Sequence, residues 1–500
     1  MNRATKSAAD EGIARRSDRA GAPATVSTSN GGSRVDAHRA HADVRHRRSR
    51  ARIGRGGRLP RPRVGTTLAA GAGVLASLSP GLLPRTSGAQ AILTGLLVAM
   101  ALGVTGVVRF VLRRKGFDTD VQFAAYRGPL LVLTVVLIVA AVAQAGHWQN
   151  GLRAAMGTPP IGPGYWVRCG VGAALIAGLG LGLARSVGRV LRRLGAARGV
   201  AVTVAAAVLG GAIVAPTVAE WRYGVYAAAN ATVDPTVTPP VASGRSGTAA
   251  SAVSWTSLGS QGRRFVADGP DGPIRVYVGL ESAPDLDARV ALALAELERS
   301  GGFRRGNIVV TVPTGSGWID ADAAAGFTER FGDDVALVGL QYSFAPSWAT
   351  FVFGREEAIA SARALFTAIE RRLAGSARPP RLFVYGQSLG ALGGSALFTD
   401  DADQDRRTCA ALWAGPPAGD VHHGRATILA NSSDPVVHWS PSLLWRAPDL
   451  DDVRVDAPIP AWLPVLSFVQ TTADLLSALD APTGHGHRYG TDQGTSMGDC

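Results

Sequence analysis

Apolar and polar positions divide this chain into three textures. Residues 1–64 carry no sustained apolar run. Five long apolar runs follow, at about 66–84, 88–110, 128–146, 167–184 and 199–219. Each approaches the roughly 20 residues that a helix needs to cross a bilayer. Their interiors are built from Ala, Gly, Val and Leu, the residues that let membrane helices pack closely. Pro80 sits inside the first run, so that helix is expected to break or tilt there. From about residue 263 the pattern changes again. Short runs such as "PIRVYVGL", "NIVVTVP", "DVALVGLQY", "RLFVY", "CAALWAG" and "ATILA" alternate with amphipathic stretches, among them 321–331, 349–373 and 461–479. Leu286, Val290, Leu294 and Leu297 recur at helical spacing in the first of these stretches. Brief β-rich runs alternating with helices predict a doubly wound, mostly parallel sheet.

Charge sharpens this division. The net charge of +13 would suit a nucleic-acid binder, but +11 of it falls within residues 1–64. That tail is rich in Arg, Ala, Gly and Ser and has no aromatic residue, which predicts a disordered basic extension with too little apolar surface to fold. A patch touching anionic lipid head groups or nucleic acid is the alternative use for it, although no nucleic-acid partner is expected. About 64 polar residues before the first apolar run exclude a cleavable secretory signal. Arg113, Arg114 and Lys115 follow the second run, and Arg185, Arg189, Arg192, Arg193 and Arg198 follow the fourth. The alternate loops are poorer, with Arg85, then Arg153 and Arg168, then Arg222. The positive-inside rule then makes the tail cytoplasmic, and five crossings leave everything after Trp221 exocytoplasmic. The predicted plan is tail 1–64, membrane helices 65–222, a Pro- and Ser-rich linker 223–262 that holds the next domain away from the bilayer, and a domain over 263–500. No acidic residue or His lies mid-span, which favours an anchor over a transport pathway. Cys169, Cys409 and Cys500 form neither a disulfide framework nor a metal set, although a Cys409–Cys500 bridge is open to a domain outside the cell.

One motif carries chemistry. Gly386-Gln387-Ser388-Leu389-Gly390 follows the apolar run Leu382–Tyr385 and precedes the small-residue stretch "ALGGSALF". A strand–turn–helix around G-x-S-x-G is the setting of a nucleophile elbow, which makes Ser388 the candidate nucleophile. A hydroxyl needs a base, and the base needs a carboxylate. Outside the tail and the membrane half the histidines are His422, His423, His438, His485 and His487. In the order serine, acid, histidine, Asp434 fits the acid, because it follows "ATILANSS" at a strand end. Asp420 and Asp480 fit that position less well. The base is sought in "TGHGHRYG", with His487 as first choice and His485 as the alternative. Backbone N–H groups for an oxyanion are expected from Leu389 and from Thr314, Gly315 or Ser316 in "TVPTGSGW".

Several segments together, "SLSPGLLPR", "TGSGW", "QYSFAPSW", "GQSLG", "WAGPP", "SSDPVVHWSP" and "GHGHRYG", resemble a bacterial family of membrane-anchored α/β-hydrolases over residues 65–490. The resemblance implies a Ser–Asp–His triad and an integral membrane location, and no particular substrate. The basic tail lies outside the family pattern. So few residues follow His487 that the closing helix common on this fold has no room, and the last strand is not placed.

The expected activity is therefore serine hydrolysis of an ester-type bond through an acyl-enzyme, without metal or organic cofactor. The bilayer is the expected partner, and a lipid-like or envelope acyl ester is the expected substrate. Acyl transfer to an alcohol by the same triad, and a non-catalytic membrane scaffold or sensor, are the rival readings.

Overall fold

A computed structural model describes residues 62–500, so the basic tail lies outside the described residues apart from its last positions. Helix α1 (Val64–Ser77) opens the membrane half. Four helices long and apolar enough to cross a membrane follow: α2 (Ser87–Arg114), α3 (Ala124–Ala155), α4 (Tyr165–Leu194) and α5 (Ala197–Ala231). Their outward faces carry exposed Val107, Leu133, Leu175 and Leu179, as lipid-facing helices require. The first of the five expected spans is the one that differs. At 14 residues α1 reaches only about 21 Å. It ends before Pro80, which supplies no N–H to a continuing helix.

The bundle has two chemically distinct ends. Arg63, just ahead of α1, lies 3.3 Å from Asp120 in the α2–α3 turn, and Arg113 reaches the same carboxylate at 2.6 Å. At the opposite end the 78–86 loop, the C-terminus of α3 and the N-terminus of α4 converge. Trp148 Nε1 donates to Gly81 O at 2.9 Å, and both Arg153 and the Tyr165 hydroxyl donate to Arg85 O.

The C-terminal half is a six-stranded, wholly parallel sheet in the order β1-β3-β2-β4-β5-β6. The strands are β1 (Ile274–Val278), β2 (Asn307–Val312), β3 (Val335–Leu340), β4 (Arg381–Gln387), β5 (Ala410–Ala414) and β6 (Ala426–Leu429). Each falls on one of the β-rich runs. Every residue of β1, β2, β3 and β5 is buried, which is why these runs read as continuously apolar and not alternating. Between them lie α6 (Gly259–Ala267, before β1), α7 (Leu286–Ser300), α8 (Ala321–Phe331), α9 (Ser347–Phe353), α10 (Arg355–Leu373), α11 (Leu389–Ser395) and α12 (Asp401–Arg407). Then come α13 (Pro435–His438), α14 (Leu466–Asp474) and α15 (Asp492–Thr495).

Four expectations need correction. The stretch 349–373 is two helices, because the chain leaves helical geometry at Gly354. The stretch 461–479 becomes helical only from Leu466, as α14 and a 3-10 turn at Leu475–Ser477, since Pro464 and a left-handed Val465 (φ 63°) hold the preceding residues out of a helix. A closing helix does exist, but it is the single turn α15, and Cys500 beyond it is bonded to Cys409 with the Cα atoms 4.5 Å apart. The last strand is β6, well before His487.

The presumed linker is the largest difference. Arg245 is buried and donates to Val266 O at 2.6 Å and Gly269 O at 3.0 Å, while Val253 and Leu258 enter the sheet core. Buried Arg263 donates to Thr232 O at 2.5 Å, tying the end of α5 to the domain. Guanidinium groups can gather several carbonyls at once, so a Pro- and Ser-rich composition did not leave this segment free. Nor does the domain stand away from the membrane helices. Buried Arg85 pairs with buried Asp474 of α14 at 2.7 Å, and Gln470 accepts from Arg85 at 2.6 Å and donates to Ala76 O at 2.6 Å.

Candidate active site

Strand β4 ends at the middle of the sheet, and its carboxyl end is where a parallel sheet opens a crevice. The next residue, Ser388, is held at φ 55°, ψ −125°, a left-handed-side conformation that non-glycine residues rarely adopt. Its N–H donates to Ala414 O at the end of β5 (2.8 Å), and helix α11 starts immediately after it. So sharp a turn demands bare backbone on both sides. A Cβ on Gly386 would fall onto the carbonyl of Gly390. A Cβ on Gly390 would fall onto the carbonyl of Val312 and lie 2.9 Å from that of Pro313. None of these carbonyls can yield without moving β2, the loop after it or α11, which accounts for both glycines of the motif.

Asp434 caps the one-turn helix α13, its Oδ1 accepting from Val436 N at 2.8 Å. Its other oxygen faces His487 Nδ1 at 2.7 Å and accepts from the Tyr489 hydroxyl at 2.7 Å. Asp434 is fully buried. Burial alone would push its pKa up. The His487 charge and the hydrogen bonds from His487, Tyr489 and Val436 outweigh that and hold the carboxyl below its ordinary range. The His487 ring packs over Gly415, the residue after the Ala414 carbonyl that holds Ser388, and its Nε2 is buried without a hydrogen-bond partner. In particular, no hydrogen bond joins Nε2 to the Ser388 hydroxyl. Such bonds often tighten only when substrate is bound.

His485 is placed otherwise. Its Nδ1 meets Asp456 Oδ2 at 2.9 Å, and Asp456 also accepts from Ser432 Oγ at 2.9 Å and Ser433 N at 3.0 Å. Ser433 Oγ accepts in turn from Gly486 N at 2.7 Å. This second Asp–His pair braces the loop that carries His487, from the side of the Asp434 turn. His438 is buried, its Nε2 is 3.2 Å from Ser432 O, and desolvation lowers its pKa. Asp456 and Tyr489 were not singled out from sequence. Tyr489 lies two residues beyond His487 inside the quoted "GHGHRYG", the one signal that could have found it.

The loop after β2 lies against the Ser388 turn through Val312 and Pro313. Tyr342 donates to Pro313 O at 2.9 Å and Tyr277 donates to Gly317 O at 2.7 Å, so the loop is pinned at both ends. The Thr314 N–H is committed to Trp318 O at 2.9 Å, which removes Thr314 from the expected oxyanion donors. Gly315 and Ser316 remain on the loop, with Leu389 opposite at the start of α11. Among the described residues no group of three or more His, Cys, Asp or Glu is arranged to hold a metal ion.

A model described as the alpha/beta-hydrolase family matches residues 274–427 and 418–497, and one for the N-terminus of that family matches residues 78–270. No curated protein and no solved structure matches the chain.

Proposed function

The chain belongs to the alpha/beta-hydrolase family, and on that premise we propose that it is a membrane-anchored serine hydrolase cleaving an ester-type bond. Ser388 is the nucleophile, His487 the base and Asp434 the orienting acid. The observation that carries this reading is the Asp434–His487 pair at 2.7 Å, with Nε2 buried and unpartnered and the ring over Gly415, next to the Ala414 carbonyl that holds Ser388 in its strained strand-to-helix turn. As Ser388 Oγ attacks the carbonyl carbon, His487 Nε2 takes its proton and returns it to the leaving alkoxide, giving an acyl-enzyme. Water then attacks the acyl carbon, passing a proton through the same nitrogen back to Ser388. Asp434 fixes the Nδ1–H tautomer and offsets the imidazolium charge. Backbone N–H groups of Leu389 and of Gly315 or Ser316 receive the oxyanion.

The membrane half supports one substrate class. A lipid-like or envelope acyl ester suits a domain docked on the end of a helix bundle. The basic ends of α2 (Arg113, Arg114) and α4 (Arg192, Arg193) lie at the bundle end away from the hydrolase. That asymmetry, with the Cys409–Cys500 bond, supports an exocytoplasmic active site.

Labelling the full chain in detergent with a fluorophosphonate probe tests the chemistry. The parent should label and Ser388→Ala should not, while equal labelling of the variant would move the nucleophile elsewhere.

A further inference from the structure

A large cavity lies away from Ser388. It has a volume of about 670 Å³ and lies between the membrane half and the hydrolase half. Leu93, Leu96 and Met100 of α2 form one wall, and Phe468 of α14 with Leu476 beyond it form the other. Neither Ser388 nor His487 lines it. Met100 is thirteen residues past the start of α2, so the groove descends about 20 Å along that helix. One leaflet of a bilayer core is about 15 Å deep. Leu96 and Met100 are 57% and 60% exposed, so the groove is open on its bilayer side.

The mouth of the groove is charged on both sides. Arg153 lines it, donating one Nη to Arg85 O at 2.7 Å, and its Nε is buried without a partner. Arg85 also lines it, but Asp474 at 2.7 Å neutralises it. Asp480 lines the same mouth from the hydrolase side with an exposed side chain, and like Arg153 it forms no ion pair among the described residues. One unpaired cation and one unpaired anion sit above an apolar trough of leaflet depth. We propose that this groove is a resident lipid site for a zwitterionic aminophospholipid, phosphatidylethanolamine. The phosphate lies on Arg153, the ammonium on Asp480, and an acyl chain lies between α2 and α14. A purely anionic lipid would set its charge against Asp480 with no ammonium to answer it. The wall from Leu476 to Pro482 also carries the catalytic loop, since His487 N donates to Ala478 O at 3.0 Å. A lipid seated there would brace that loop from the membrane side.

The test reads lipid, not turnover, so it stands or falls apart from the triad. The full chain with Ser388→Ala is reconstituted in bilayers of equimolar phosphatidylethanolamine and phosphatidylglycerol. It is then extracted in mild detergent, and the retained lipid is counted by native mass spectrometry. One phosphatidylethanolamine per chain should remain, favoured about tenfold over phosphatidylglycerol. Leu96→Trp, at an exposed position that fills the trough, should lower retention of both about tenfold. Asp480→Lys, on an exposed side chain, should reverse the preference towards phosphatidylglycerol. Unchanged retention in Leu96→Trp, or an unchanged ratio in Asp480→Lys, overturns the proposal. So does a lysophospholipid retained by the active parent where Ser388→Ala holds the intact lipid, because the groove would then be a substrate site.

Discussion

Two Asp–His pairs stand side by side in this domain, and they ought to behave differently. Asp434–His487 is buried, with its outer nitrogen free. Asp456–His485 is less deeply buried, with the His485 side chain 20% exposed, and is tied into the serine and backbone network of the loop. His487→Ala should lower kcat on a p-nitrophenyl ester by about 10⁴–10⁶, since triad members act as a unit. His485→Ala should leave turnover measurable and cost about 1–2 kcal/mol of stability, read as a lower melting temperature. A dead His485 variant beside an active His487 variant would exchange the two roles. Acid should expose the carboxylate. Because the Asp434 pKa is depressed in the folded chain, its stabilisation is complete above the unfolded value of about 3.9 and is lost as pH falls through the folded value. Melting temperature between about pH 5 and 2 should therefore fall more steeply for the parent than for Asp434→Asn. Parallel curves would show that the pair adds no acid-linked stability.

At the level of elements the docking of α14 on the 78–86 loop joins the two halves, alongside the Arg263 contacts to the end of α5. Arg85 and Asp474 are both buried there, and the Leu82 amide also donates to Asp474 at 2.7 Å. Removing one partner of a buried pair leaves a desolvated charge, so Arg85→Ala should cost about 3–5 kcal/mol. Limited proteolysis should then open the 445–465 region ahead of α14. Arg85→Leu combined with Asp474→Leu should recover much of that loss, and a double variant as fragile as the single one would deny the pair its role. This contact also marks where sequence reading stopped. The six strands were legible because buried parallel strands are continuous apolar runs, and Ser388 was legible because its glycines have no alternative. Arg85 and Asp474 are 389 positions apart, and each alone reads as an ordinary loop or helix charge. The segment around Arg245 departs from its linker-like composition for a related reason. Its composition is that of a linker, and its order comes from an arginine reaching carbonyls that local pattern cannot foresee. The choice between His485 and His487 needed Asp456, whose partnership crosses 29 residues with no motif to announce it.

For the whole molecule, the side on which the active site works follows from whether α1 crosses. Four crossings would put the tail and the hydrolase on the same side, and five would separate them. Helix α1 is short, but Arg63 ahead of it meets Asp120 at the α2–α3 turn, while the 78–86 loop after it joins the hydrolase at the other end of the bundle. The chain therefore traverses the bundle between residues 63 and 86, partly as helix and partly as a loop whose Leu82 and Leu83 are buried. About 21 Å of helix falls short of a core of about 30 Å, and that buried loop extends the apolar path. With Arg113, Arg114, Arg192 and Arg193 at the end of the bundle away from the hydrolase, the positive-inside rule predicts an exocytoplasmic hydrolase. Two measurements check this independently. Alkaline phosphatase fused after Cys500 should be active, whereas green fluorescent protein at the same point should stay dark. In membranes prepared without reductant, a maleimide polymer should leave Cys409 and Cys500 unmodified until dithiothreitol is added, because thiols outside the cytoplasm oxidise when paired as these are. Bright fluorescence together with thiols that react before reduction would return the hydrolase to the cytoplasmic face, and α1 would then have to lie along the bundle without crossing it.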